Sequence, residues 1–174
     1  IELINSEIIK SAEASFNMIV KIFPVMALWL GIMKIATESE LLTKISKILY
    51  PVMKKIFPEI PKNHESISLI TSNVIMNMFG LGNAATPFGL KAMKSLQTLN
   101  KKKEEATRSM ITFLVLNTTG LTVIPTTIIS LKMMYGSTNP TEIVLPCFLA
   151  SLISTIFGLI IDNILARKEI KKCK

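Results

Sequence analysis

The sequence predicts an all-α, polytopic helical membrane protein with broken or re-entrant helices and one interfacial amphipathic helix. Of the 174 residues, 49% are hydrophobic and 6% are aromatic, and the mean hydropathy is +0.48. The hydrophobic residues are clustered into long runs, which is typical of membrane helices and not of a soluble domain of this size. The net charge of +8 lies between these runs and in the C-terminal tail, as in cytoplasmic loops.

The sequence also argues against several functions. Nucleic-acid binding is not expected, because the basic residues lack an aromatic or helix-turn-helix context. Cys147 lies in an apolar run and Cys173 in the charged tail, so no disulfide is expected. His64 is the only histidine, which argues against a metal site. The only carboxylate near an apolar run is Asp162, at a helix end where water reaches it, and neither a catalytic residue nor a cofactor is predicted.

The first elements are predicted from run length and from the positions of the charges. Residues 1–17 form a short amphipathic surface helix, and residues 18–36 are just long enough to cross a bilayer, with a kink at Pro24. Residues 38–57 have lysines on one side and an apolar stripe on the other, which predicts a helix lying in the membrane surface and interrupted at Pro51. The stripe consists of Leu41, Ile45, Ile48, Val52 and Ile56.

Residues 66–90 contain the first interrupted helix. Its amides Asn73 and Asn77 are four residues apart and therefore share one helix face. Helical backbone is hard to maintain through the Gly-Leu-Gly-Asn sequence of residues 80–83, and Pro87 favours the first turn of a new helix. At membrane depth such a break is tolerated only when it is buried in protein or lines a wet cavity.

Residues 109–135 contain a second interrupted segment, in which Asn117, Thr118 and Thr119 precede Gly120 and Pro125. Each segment thus has amide or hydroxyl groups, then glycine, then proline. Two such segments in one bundle favour a site for a neutral polar solute near the midplane. The alternative is that the amides and hydroxyls join the helices to one another, and both interpretations stay open. The candidate binding residues are Asn73, Asn77, Gly80, Gly82, Asn83, Thr86, Pro87, Asn117, Thr118, Thr119, Gly120 and Pro125.

Residues 142–166 form the clearest membrane-spanning helix. Ala150, Ser154 and Gly158 recur every four residues along it, a stripe that allows another helix to approach closely. If residues 66–90 enter the membrane, break and leave on the same side, then the basic regions 38–57 and 91–108 and the C-terminal tail are all cytoplasmic. Charge therefore predicts a re-entrant hairpin.

Three blocks of sequence resemble a known family: NMFGLGNAATPFGLKAM, EATRSMITFLVLNTTGLTVIPTTIISLKM and NPTEIV. They are similar, in order and spacing, to the spore maturation protein A family of the nucleoside recognition, or Gate, domain group. The resemblance covers nearly all of residues 1–174 and implies one multi-pass domain in the cell membrane of sporulating cells. It also implies a preceding membrane segment, a role in dehydration of the spore core and hence in heat resistance, and action together with spore maturation protein B.

Three functions are compatible with these observations. The first is a transporter- or channel-like subunit that passes a small polar solute through the bilayer, as an oligomer or with spore maturation protein B. The second is a non-transporting membrane scaffold that organises spore cortex or membrane proteins. The third, an enzyme, is the least favoured, because no acid, base or nucleophile constellation is present.

Overall fold

The computed structural model describes residues 2–38, 41–61 and 63–172, and within these ranges all regular structure is helical. Seven α-helices and one short 3-10 helix follow one another in the described chain. They are α1 (Glu2–Glu38), α2 (Leu41–Ile56), α3 (Glu65–Met78), α4 (Gly82–Leu99), α5 (Arg108–Thr119), α6 (Thr126–Met134), the 3-10 helix (Pro140–Ile143) and α7 (Val144–Lys172).

Helix α1 joins the two elements that were predicted at residues 1–17 and 18–36. It contains 37 residues, including Pro24, and at about 1.5 Å per residue is roughly 55 Å long. The prediction of two helices was wrong because no glycine or proline separates the amphipathic part from the apolar part. Ile8, Phe16 and Phe23 are each more than 60% exposed. Helix α1 contacts α2 and α6, and much of its apolar surface is left uncovered by the described chain.

Helix α2 continues through Pro51, so the predicted interruption there was wrong. Its buried side is offset from the predicted stripe. Met53 is 4% exposed and Phe57, just after the helix, is 1% exposed, whereas Ile48 in the stripe is 72% exposed. Because the buried side packs against α3, it compensates for the hydrogen bond that Pro51 cannot donate.

Helices α3 and α4 form an antiparallel hairpin, which contains the centre of the core. Ile67, Ile70 and Ala92 are completely buried there. The predicted interruption is present but shorter than expected, because α4 already begins at Gly82. Pro87 lies inside α4 and does not open it, so that part of the prediction was wrong. Helix α4 then extends as far as Leu99, so both arms of the hairpin are regular helices.

Three hydrogen bonds fix the open end of this hairpin. The backbone N–H of Ser66 donates to Nδ1 of His64, which caps the N-terminus of α3, at 3.3 Å. The hydroxyl of Ser66 donates to Ser95 on α4 at 2.8 Å, and the hydroxyl of Ser95 donates to Glu65 at 2.8 Å. The histidine therefore has a structural role at a helix end.

Within the described ranges, one helical stretch is long and apolar enough to cross a membrane, Pro140–Arg167, and only 6% of its apolar window is buried. Helix α7, which forms most of it, packs one side against α5. Gly158 lies on that side, since a Cβ there would be 2.8 Å from Cγ2 of Thr119. Ala150 and Ser154 are exposed, so the packed face is offset from the predicted small-residue stripe.

Candidate functional site

The two interrupted segments meet at their breaks. The backbone N–H groups of Val123 and Ile124 donate to the carbonyl of Met78 at 2.8 and 2.9 Å. The carbonyl that α3 leaves free at its C-terminus is thereby satisfied by the other interrupted segment. We call this contact between residues 78–81 and 122–127 the junction.

Gly80 permits the close approach of the two chains at the junction. Its φ is +68°, in the left-handed region that side chains rarely adopt. A Cβ at this position would lie 2.7 Å from the carbonyl oxygen of Ile124 and 2.8 Å from the backbone nitrogen of Thr126. Pro125 is buried beside it and precedes the first residue of α6.

Threonine hydroxyls satisfy further backbone groups of the junction. Thr126 donates to the carbonyl of Phe79 at 3.0 Å, and Thr127 donates to the carbonyl of Gly80 at 3.1 Å. On the other side, Ser151 of α7 accepts from the N–H of Thr122 at 3.1 Å. Many backbone groups freed by the breaks are thus paired inside the protein, without a solute. Sequence reasoning missed Thr126 and Thr127, although two threonines directly after a helix-breaking proline were a usable signal.

A chain of amides connects α5, α3 and α4 next to the junction. The Nδ2 group of Asn77 donates to Oδ1 of Asn117 at 3.0 Å and to Oδ1 of Asn73 at 3.2 Å. The Nδ2 group of Asn73 donates in turn to the carbonyl of Ala85 at 2.9 Å. Asn73 is 1% exposed, and Gly89 makes room for it, because a Cβ on that glycine would lie 3.0 Å from the Asn73 amide nitrogen.

These amides line a cavity of about 350 Å³, which we call the amide cavity. Its lining, all within the described chain, contains no charged side chain. Among the described contacts, Oδ1 of Asn77 and Nδ2 of Asn117 have no partner, so one acceptor and one donor are available to a ligand. The full lining is Asn73, Asn77, Gly82, Ala85, Thr86, Gly89, Leu90, Met93, Phe113, Leu114 and Asn117. Such a site suits a neutral molecule that both donates and accepts hydrogen bonds.

The remaining candidate residues lie elsewhere. Pro87 and Thr118 are exposed and are not part of the lining. Thr119 donates to the carbonyl of Val115 in its own helix at 3.0 Å. Gly120 ends α5 in the left-handed conformation, with φ +52°. The side chain of Asn83 lies outside the described residues.

The hydroxyl of Thr86, although part of the lining, is used within α4. It donates to the carbonyl of Gly82 at 3.1 Å. Of the predicted site, the structure therefore places five residues around the amide cavity: Asn73, Asn77, Gly82, Thr86 and Asn117. Gly80 and Pro125 form the junction beside it.

Comparison with known proteins identifies relatives of this chain. The model of the Gate family, described as nucleoside recognition, matches residues 19–134, which include the breaks of both interrupted segments. The chain is also 46% identical over 169 residues to spore maturation protein A of Bacillus subtilis (strain 168). That similarity covers 97% of this chain and 86% of the relative. No solved structure matches the chain.

Proposed function

The chain belongs to the Gate, or nucleoside recognition, family, and from this membership we propose that it is a membrane protein of sporulation. It acts as a transporter- or channel-like subunit for a small neutral polar solute, together with spore maturation protein B or as a homo-oligomer. Its activity contributes to dehydration of the spore core and to heat resistance. The similarity to spore maturation protein A and the exposed apolar surfaces of α1 and α7 support this placement.

The amide chain is the observation on which the proposal rests. It joins both interrupted segments and lines a cavity that contains unpartnered donor and acceptor atoms. A solute that needs one donor and one acceptor could exchange hydrogen bonds with Asn77 and Asn117 without a charge having to be neutralised. The absence of a carboxylate from the lining gives no support to cation-coupled transport, so we propose passive permeation.

We expect Asn117→Ala to reduce solute flux by about three- to tenfold, the value of one hydrogen bond to a neutral group. Asn117 is exposed, so its replacement should leave the fold intact. The measurement is flux into vesicles that contain the full chain, alone and then with spore maturation protein B. The probes are water, followed by stopped-flow light scattering, and radiolabelled glycerol and uridine.

Thr118→Ala is the matched control, because Thr118 is the next residue of the same helix, is exposed and lies outside the lining. It should retain the wild-type flux. Equal flux through wild-type and Asn117→Ala vesicles, at equal protein content, would contradict a role of the amide cavity in permeation.

A non-transporting scaffold is the second candidate, and the internal pairing of the junction favours it. Because many freed backbone groups already have protein partners, the breaks can exist for packing alone. A scaffold would use the exposed side of α7 that contains Ala150 and Ser154. We then expect Ala150→Leu with Ser154→Leu to abolish co-purification of spore maturation protein B, while Asn117→Ala leaves it unchanged. Co-purification of the double variant at the wild-type level would exclude this scaffold surface.

A further inference from the structure

A second cavity, of about 390 Å³, lies where α2, α5 and α7 meet, and it differs chemically from the amide cavity. Its lining includes two cationic and two acidic side chains. The full lining is Lys55, Ile56, Pro58, Glu59, Arg108, Ser109, Thr112, Leu159, Asp162 and Asn163. We call it the charged cavity.

Arg108 is held in the wall of this cavity by a buried partner. Asp162 has a side chain that is only 4% exposed, and it accepts hydrogen bonds from Nη1 of Arg108 and, at 2.9 Å, from the hydroxyl of Thr112. The prediction that water reaches Asp162 was therefore wrong. The Arg108 side chain remains 30% exposed, and its guanidinium has five donors. Since one nitrogen pairs with Asp162, the others can bind an anion.

The other two charges lie at the rim. Lys55 and Glu59 are both exposed, one at the end of α2 and one in the following turn. The hydroxyl of Ser109 donates to Oε2 of Glu59 at 3.3 Å, and within the described chain Oε1 has no partner. The four charges of the cavity sum to zero, so a simple anion or cation would face two groups of like charge. A zwitterion, with its two charges a few bonds apart, avoids this repulsion.

The surface next to the charged cavity is strongly apolar. In the turns of α7 that flank Asp162, Phe157, Ile161 and Leu165 are 59, 54 and 55% exposed. The cavity therefore lies beside a helix face that would contact acyl chains, at the level where the sequence of α7 changes from apolar to polar.

We propose that the charged cavity binds the headgroup of an aminophospholipid, with its phosphate at Arg108 and Lys55 and its ammonium at Glu59. The acyl chains then lie along the exposed face of α7. This assignment rests on the membrane location proposed above, but not on any transport by the amide cavity.

The test is competitive lipid binding to the full chain, measured by native mass spectrometry in detergent. The protein is presented with equal amounts of phosphatidylethanolamine and phosphatidylglycerol that have identical acyl chains. We expect the wild-type chain to retain phosphatidylethanolamine over phosphatidylglycerol by about three- to fivefold, the value of one exposed ion pair.

Three variants separate the contributions. Glu59→Gln should remove the preference for phosphatidylethanolamine, because it removes the partner of the ammonium group. Lys55→Gln should lower the retention of both lipids, because both have a phosphate. Lys47→Gln, at an exposed position of the same helix outside the cavity, should behave as wild type.

Equal retention of the two lipids by the wild-type chain, or an unchanged preference in Glu59→Gln, would overturn the proposal. Displacement of half of the lipid by an equal concentration of soluble glycerophosphoethanolamine would also overturn it, because the acyl chains would then add nothing to binding and the ligand would be a free aminophosphate. Because no flux is measured, failure of this test leaves the permeation proposal intact, and loss of permeation leaves this site intact.

Discussion

Gly80→Ala will destabilise the protein by about 2–5 kcal/mol, the sum of a left-handed conformation and of overpacking at a rigid site. The added Cβ would meet backbone atoms on both sides, 2.7 Å from the carbonyl oxygen of Ile124 and 2.8 Å from the nitrogen of Thr126. Backbone atoms cannot rotate away as a side chain can. The two chains must separate at the junction, which lengthens the hydrogen bonds to Met78. The measurement is the free energy of unfolding in detergent micelles.

Gly82→Ala provides the control in the same measurement. Gly82 is two residues away, it is helical, and a Cβ there has no neighbour within 4 Å. Its replacement should therefore change the free energy of unfolding by less than about 1 kcal/mol, in the stabilising direction. If the two variants unfold alike, the junction does not determine the stability of the described fold.

Arg108→Met will cost about 3–5 kcal/mol of folding free energy, because it leaves the buried carboxylate of Asp162 without its cationic partner. The penalty comes from the unpaired charge and not from the loss of the pair itself. We therefore expect Arg108→Met combined with Asp162→Leu to recover most of the lost stability. The quantity to measure is again the free energy of unfolding, for the two single variants and the double variant.

The surface pair of Lys102 and Glu105 serves for comparison. Their side chains are 76 and 68% exposed, so Lys102→Ala should change stability by less than about 1 kcal/mol. If Arg108→Met with Asp162→Leu is no more stable than Arg108→Met alone, the unpaired carboxylate of Asp162 is not the cause of the lost stability.

Local sequence patterns predicted the elements of the candidate site, but not all of their boundaries. The spacing of Asn73 and Asn77 fixed a common helix face, and glycine after each set of polar residues marked both breaks. Both segments have amide or hydroxyl groups, then glycine, then proline, and this shared order grouped them into one predicted site. Pro51 and Pro87 were assigned to breaks or starts, yet both lie inside helices, because packing of the flanking apolar residues outweighs the loss of one hydrogen bond.

The charged cavity could not be predicted in the same way. Arg108 and Asp162 are 54 residues apart in sequence. Arg108 begins α5, and Asp162 was predicted to lie near a helix end, whereas α7 continues to Lys172. Only the packing of α5 against α7 brings them together. The position of Asp162 near the end of an apolar run was a true signal, but exposure was the wrong conclusion to draw from it.

The shared amide of Asn77 has a mechanical consequence. At the junction, α3 is tied to the second interrupted segment by main-chain bonds at Met78, whereas on the amide side a single side-chain bond joins it to Asn117. Two main-chain bonds hold two segments more firmly than one side-chain bond does. We therefore expect any relative displacement of the two segments to break the bond to Asn117 before the bonds to Met78.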